Sequence, residues 1–168
     1  MTFTLLIVSI LLVALYVGVT IWVHKRLPDS VSAMVYDLPK GGKYLWTLWI
    51  WSVTLLFCPT LFDFIGEDWG ILAHCFATSL MFTGAMPLVQ GERNKAHNVL
   101  GVTAGIFSQI CVCIIDVQWL ASWMLFVFFM GSVYVQPQGD LGKAVKGKGV
   151  FVAEAVCWLS VMGSLIFK

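Results

Sequence analysis

The chain has 168 residues, of which 60% are hydrophobic and 11% charged, and ten Lys and Arg against nine Asp and Glu leave a formal charge of +1. A soluble domain carries roughly 45–50% apolar and about 25% charged residues, so a soluble globule is excluded, and the short basic loops give no case for nucleic-acid recognition. Apolar runs near the ~20 residues needed to cross a bilayer recur along the whole length, which makes the fold class an all-α polytopic transmembrane bundle, one domain over residues 1–168.

Six spans are expected, at 3–23, 44–66, 69–89, 97–115, 119–135 and 150–167. The first has no basic n-region, exceeds the usual length of a signal-peptide core and lacks a small-x-small cleavage site before Lys25 and Arg26, so it is expected to stay attached. Between the first and second spans lies LPDSVSAMVYDLPKGGK, bracketed by Pro28 and Pro39. Val31, Met34, Val35 and Leu38 fall at i, i+3, i+4 and i+7, one face of a short helix over about 30–38. Asp29 or Ser30 caps its start, and Gly41 with Gly42 forms a hinge after it. With basic residues on both flanks, it reads as an interfacial helix on the cytoplasmic surface. Ser32, Tyr36 and Asp37 fall on its other side, either as a solvated face of a tether or as a lid over the inner mouth of the bundle.

Nine of the ten basic residues sit in the first, third and fifth loops: Lys25, Arg26, Lys40, Lys43, Arg93, Lys95, Lys143, Lys146 and Lys148. The positive-inside rule places these loops in the cytoplasm and both termini outside. The longest linker, 136–149, is rich in Gly and Lys and reads as a flexible loop on that same side.

Polar residues inside a span mark the default place to look for function. The fourth span carries His97, Gly101, Gly105, Gln109 and Cys113 every four residues, along one slowly drifting face. Gly101 and Gly105 form a G-x-x-x-G that lets another backbone or a ligand approach, and Gln109 is an interhelical hydrogen-bonding group. The sixth span carries Glu154 one turn inside the boundary, above Cys157, Ser160 and Ser164. If Glu154 faces inward, His97 and Asn98 are its expected partners at equal depth. At the outer end His74, Asp63 and Asp116 are the residue types of a divalent-cation site, although nothing in their spacing fixes a geometry. Cys58, Cys75, Cys111 and Cys113 lie in the outer half without a C-x-x-C and read as buried thiols, with a Cys58–Cys75 bridge left open.

The run Leu27-Pro28-Asp29-Ser30-Val31-Ser32-Ala33 followed by Tyr36, the Trp-rich second span and the His97-Asn98 pair resemble a group of uncharacterised small polytopic membrane proteins of gut Bacteroidetes and their mobile elements. The resemblance implies a multi-pass topology in a bacterial inner membrane, and no activity. No G-x-S-x-G, H-E-x-x-H or phosphate-binding glycine loop is present. The leading expectation is therefore a nonenzymatic bundle that binds or passes a small molecule, lipid or ion through a groove lined by the fourth and sixth spans. It needs no cofactor, its partners are membrane lipids, that ligand and a second copy of itself, and no nucleic acid is among them. Two alternatives stand beside it: a membrane enzyme acting on a lipid or quinone with His97 and Glu154 as acid and base, and a structural subunit whose small-residue faces pack on a partner.

Overall fold

The computed structural model describes residues 2–25, 27–90, 95–135 and 147–168. The described residues are mostly helical, with no strand among them: α1 (Thr2–His24), α2 (Lys40–Ile65), α3 (Gly70–Gln90), α4 (Lys95–Asp116), α5 (Trp123–Val135) and α6 (Gly149–Ile166). Three short 3₁₀ segments, Ser32–Asp37, Glu67–Trp69 and Val117–Ser122, join them. Arg26, Arg93, Lys143 and Lys146, and the linker up to residue 146, lie outside the described residues.

Helix ends fall where backbone chemistry demands. α1 stops as Lys25 turns into the left-handed region at φ 52°, and Pro28 follows. Extended Pro39 starts α2, and Gly66 at φ 77° ends it while its N–H returns to the Phe62 carbonyl. Asp116 breaks α4 from the next segment with an extended backbone, and its carboxylate accepts the Gln118 N–H at 3.1 Å.

Five helical stretches are long and apolar enough to cross a membrane: Phe3–Val23, Gly41–Ile65, Glu67–Gln90, Lys95–Gly131 and Gly149–Ile166. The fourth contains both α4 and part of α5, with the Asp116 break inside it. Successive helices pack side by side, α1 on α2, α2 on α3 and α3 on α4, and α6 closes against α4. Polar side chains donate to carbonyls of the neighbouring helix along these seams: Ser9 to Val53, Trp49 to Leu12, and Thr47 to Gly84. Such bonds matter where no water competes, because an unmet polar group in an apolar interior is costly. The core of Phe57, Leu61, Phe76, Val112, Val161 and Leu165 lies between α2, α3, α4 and α6. Large apolar residues such as Leu11, Leu15, Leu48, Leu55, Ile106 and Phe128 remain exposed around the outside, a surface matched to hydrocarbon and not to water.

One element differs from expectation in what it faces. The segment at 32–37 is a six-residue 3₁₀ helix, and Met34 and Val35 are buried in protein, with Val35 against Trp46 and Ile50 and with Val31 and Leu38 beside them. The apolar face is used up by the bundle instead of being laid into a lipid surface. Hydrophobic spacing identifies a face, and the nearest apolar surface happens to be the ends of α2 and α3. Residues 27–38 thus form a strap across the ends of the helices.

Candidate functional site

The strap and the first turns of α6 form the densest polar contact among the described residues. The Ser30 and Ser32 hydroxyls are hydrogen-bonded to Glu154 Oε1 at 3.0 and 2.8 Å, and the Val31 N–H donates to Oε2. At the N-cap of α6, Lys148 pairs with the Asp29 carboxylate, and the Phe151 N–H donates to the Asp29 carbonyl at 3.1 Å. The strap therefore fills part of the donor deficit at the α6 N-terminus with a carbonyl. Its own Ser30, Val31 and Ser32 satisfy the carboxylate that α6 carries one turn further in.

This pairing corrects the expected one. Glu154 is held by the strap, and among the described residues no Lys, Arg or His lies within ion-pair distance of it. His97 is buried, edge-on to Tyr36 with ring centroids 5.4 Å apart. Asn98, one residue on and so about 100° further round the helix, is exposed. Ser32 and Tyr36 thus touch Glu154 and His97 respectively, the Lys43 ammonium lies 5.8 Å from the Tyr36 ring, and the Asp37 side chain lies outside the described residues.

From this end a line of small and polar groups runs between α4 and α6. A Cβ at Gly105 would meet Cys157 Sγ at 3.8 Å. Gly101 looks instead toward α3, where a Cβ would meet Thr83 at 3.9 Å, so the G-x-x-x-G serves two neighbours and not one. Further along, Gln109 Oε1 accepts both the Trp123 indole N–H and the Ser160 hydroxyl at 2.9 Å, and Gln109 Nε2 donates to Ser108 at 3.0 Å. Beyond this node Val112, Ile115 and Leu165 are buried, and the buried Ser164 returns its hydroxyl hydrogen to the Val161 carbonyl of its own helix.

The outer residues do not assemble. His74 is exposed, bonded to the Gly70 carbonyl of its own helix and tilted against Phe62. Asp63 is exposed, and Asp116 serves as a cap. Among the described residues no group of three or more His, Cys, Asp or Glu is placed to hold a metal ion, so the outer metal set is not supported. All five cysteines are free, which leaves the open Cys58–Cys75 bridge unformed.

Three participants escaped sequence reasoning as site residues: Ser30, Ser108 and Trp123. Ser30 was visible in the Ser-x-Ser of the strap. Trp123 carried no signal, because an aromatic near the end of a span reads as an interface anchor. Comparisons with protein-family models, with curated proteins and with solved structures give no match.

Proposed function

We propose that the chain is a six-span membrane protein that binds a small polar or ionic ligand in the α4–α6 seam, entered from the end that the strap covers. The observation that carries this reading is the strap's hold on Glu154, a carboxylate within an apolar helix whose partners among the described residues come from one short, non-α segment. A static lock between helices would be better served by apolar residues. A carboxylate closed over by a separable segment, with Cys157, Ser160 and Gln109 in line behind it, suits a ligand that replaces the strap's hydrogen bonds. Trp46 adds support, since its buried indole N–H lies under the strap with no hydrogen-bond partner among the described residues. Such donors ask for an explanation.

The sixth span is supported by the course of 117–135. Trp119 packs on Gly163 and Phe167, Trp123 reaches Gln109, and Met130 lies against Gly149. Six residues of 3₁₀ helix and thirteen of α5 therefore run antiparallel along all of α6, close to the ~20 residues of a span. By the basic asymmetry, the strap end is cytoplasmic, and by the resemblance the membrane is a bacterial inner one. Cysteines introduced at Glu67 or Asp68 should react with an impermeant reagent added outside intact cells, and cysteines within 136–149 should be protected. The reverse pattern sinks the orientation.

The enzyme reading has less behind it, because His97 and Glu154 are engaged with different strap residues. The subunit reading is disfavoured by small-residue faces that meet Thr83 and Cys157 inside the bundle. The gate itself is tested with Cys157 as the sole cysteine, using a small charged methanethiosulfonate on inside-out vesicles. Modification should be slow in the otherwise native chain and at least about tenfold faster when Ser30→Ala and Ser32→Ala are combined, the equivalent of ~1.4 kcal/mol of lost closure. Equal rates would show that the strap is not a gate.

A further inference from the structure

The three oxygens where the strap meets Glu154 form a triangle. Ser30 Oγ and Ser32 Oγ are 2.8 Å apart, and they lie 3.0 and 2.8 Å from Glu154 Oε1. Each edge has the length of an O–H···O hydrogen bond, and each such bond needs one hydrogen. The two hydroxyls supply two hydrogens for three edges, and an ionised carboxylate supplies none. Any further contact made by Ser30 can draw a hydrogen away from the ring, but cannot add one to it. With a proton on Oε1 the count closes: Oε1–H donates to Ser30, Ser30 to Ser32, and Ser32 back to Oε1, so every oxygen donates once and accepts once. The other carboxyl oxygen, Oε2, is then the carbonyl that accepts the Val31 N–H. Head-to-tail rings of this kind reinforce one another in an apolar setting.

We propose that Glu154 holds a proton on Oε1 when the strap is closed, so that the strap takes up one proton on closing and releases it to water on opening. This rests on the reading of the strap as a gate. Among the described side chains of the elements that meet there, the titratable groups include Asp29 and Tyr36 of the strap, Lys148 and Cys157 of α6, His97 and Lys95 of α4, and Lys43 and Tyr44 of α2. Lys148 pairs with Asp29, and among the described residues no ion pair to Glu154 competes with the proton. The closed state holds one more proton than the open state, whose water-exposed carboxyl is ionised above about pH 4.3. By linkage, closure is strongest at low pH and weakens as pH rises. A gate of this type ties access to the seam to the proton concentration on the strap side, which makes the proton a co-ligand of whatever enters.

The test uses the full chain reconstituted in lipid. Infrared difference spectra between acid and alkaline pH should show the carbonyl stretch of a protonated carboxyl group that fades as pH rises and is absent from Glu154→Gln. Over the same range Cys157 modification, divided at each pH by the rate of a free thiol, should accelerate. In Glu154→Gln, which keeps a donor and an acceptor but no titratable proton, it should be flat. A slope of equal size left in that variant overturns the proposal, because another group at this end would then carry the pH dependence. A protected Cys157 with no such band overturns the proposal, because the strap would then be closed on an anion. A band that persists while Cys157 ignores every strap substitution upholds the proton on the ring and overturns the gate.

Discussion

Gly84→Val and Gly163→Val are each expected to destabilise the protein on the order of 1–3 kcal/mol or more, the range for overpacked interiors, while Gly101→Ala and Gly105→Ala leave it nearly unchanged. A Cβ on Gly84 would lie 2.7 Å from Ile50 Cγ2 and 2.9 Å from its Cβ. A β-branched side chain cannot turn its own Cβ away, so α2 and α3 would have to part, and the Thr47 bond to the Gly84 carbonyl would go with them. At Gly163 a Cβ would fall within the Trp119 indole, whose rigid ring stacks on Phe167 and would have to leave it. By contrast the nearest atoms to a Cβ at Gly101 and Gly105 are 3.9 and 3.8 Å away, ordinary contact distances. Thermal unfolding in detergent checks the four together. Equal loss at all four positions, or none at 84 and 163, would show that the helix contacts are not these.

That ordering reverses the weight that the sequence suggests. G-x-x-x-G draws attention because its period matches a helix face, whereas Gly84 and Gly163 stand alone, and nothing in their neighbours says that another helix crosses there. Helix positions were legible, since each apolar run is punctuated by Pro, Gly or charge, and the helices begin and end within a few residues of the expected spans. The start of α5 was not legible. The 3₁₀ segment at Val117–Ser122 carries Val117, Trp119, Leu120 and Ala121 and so continues the apolar run into α5, and hydropathy cannot tell the two windings apart.

The site shows the same division. That Glu154 sits one turn inside the apolar boundary follows from counting residues. Its partner does not, because depth along an axis says nothing about direction around it. His97 and Asn98 share its depth, yet one is buried beside Tyr36 and the other faces outward. The actual partners lie more than a hundred residues away in sequence. The strap's spacing picked out the apolar face, with Met34 and Val35 buried and Val31 and Leu38 half-buried beside them, but assigned it to the lipid interface, whereas the bundle covers it. Apolar surface is indifferent to which of the two buries it, so only packing decides.

Val35→Asp is expected to release the strap without touching any residue of the Glu154 ring. Val35 is fully buried against Trp46 and Ile50, and losing that burial costs roughly 1.5–3 kcal/mol. A carboxylate placed there adds several more, since no cation of the described residues faces it and water is excluded. The three bonds to Glu154 and the half-exposed Lys148–Asp29 pair hold the strap by its other end, and at the low end of the about 0.5–3 kcal/mol net that each contributes this polar latch sums to about the strength of the apolar anchor. Losing the anchor should therefore shift the balance to the open form. Cys157, as sole cysteine, should be modified at nearly the rate of the Ser30→Ala, Ser32→Ala double variant, with the helical circular dichroism of the bundle retained. Val35→Thr, similar in volume and able to return its hydroxyl hydrogen to the backbone, should stay close to the native rate. If Val35→Asp leaves Cys157 as protected as before, the strap is held by its polar contacts alone, and the buried face of Met34 and Val35 is not what keeps the seam closed.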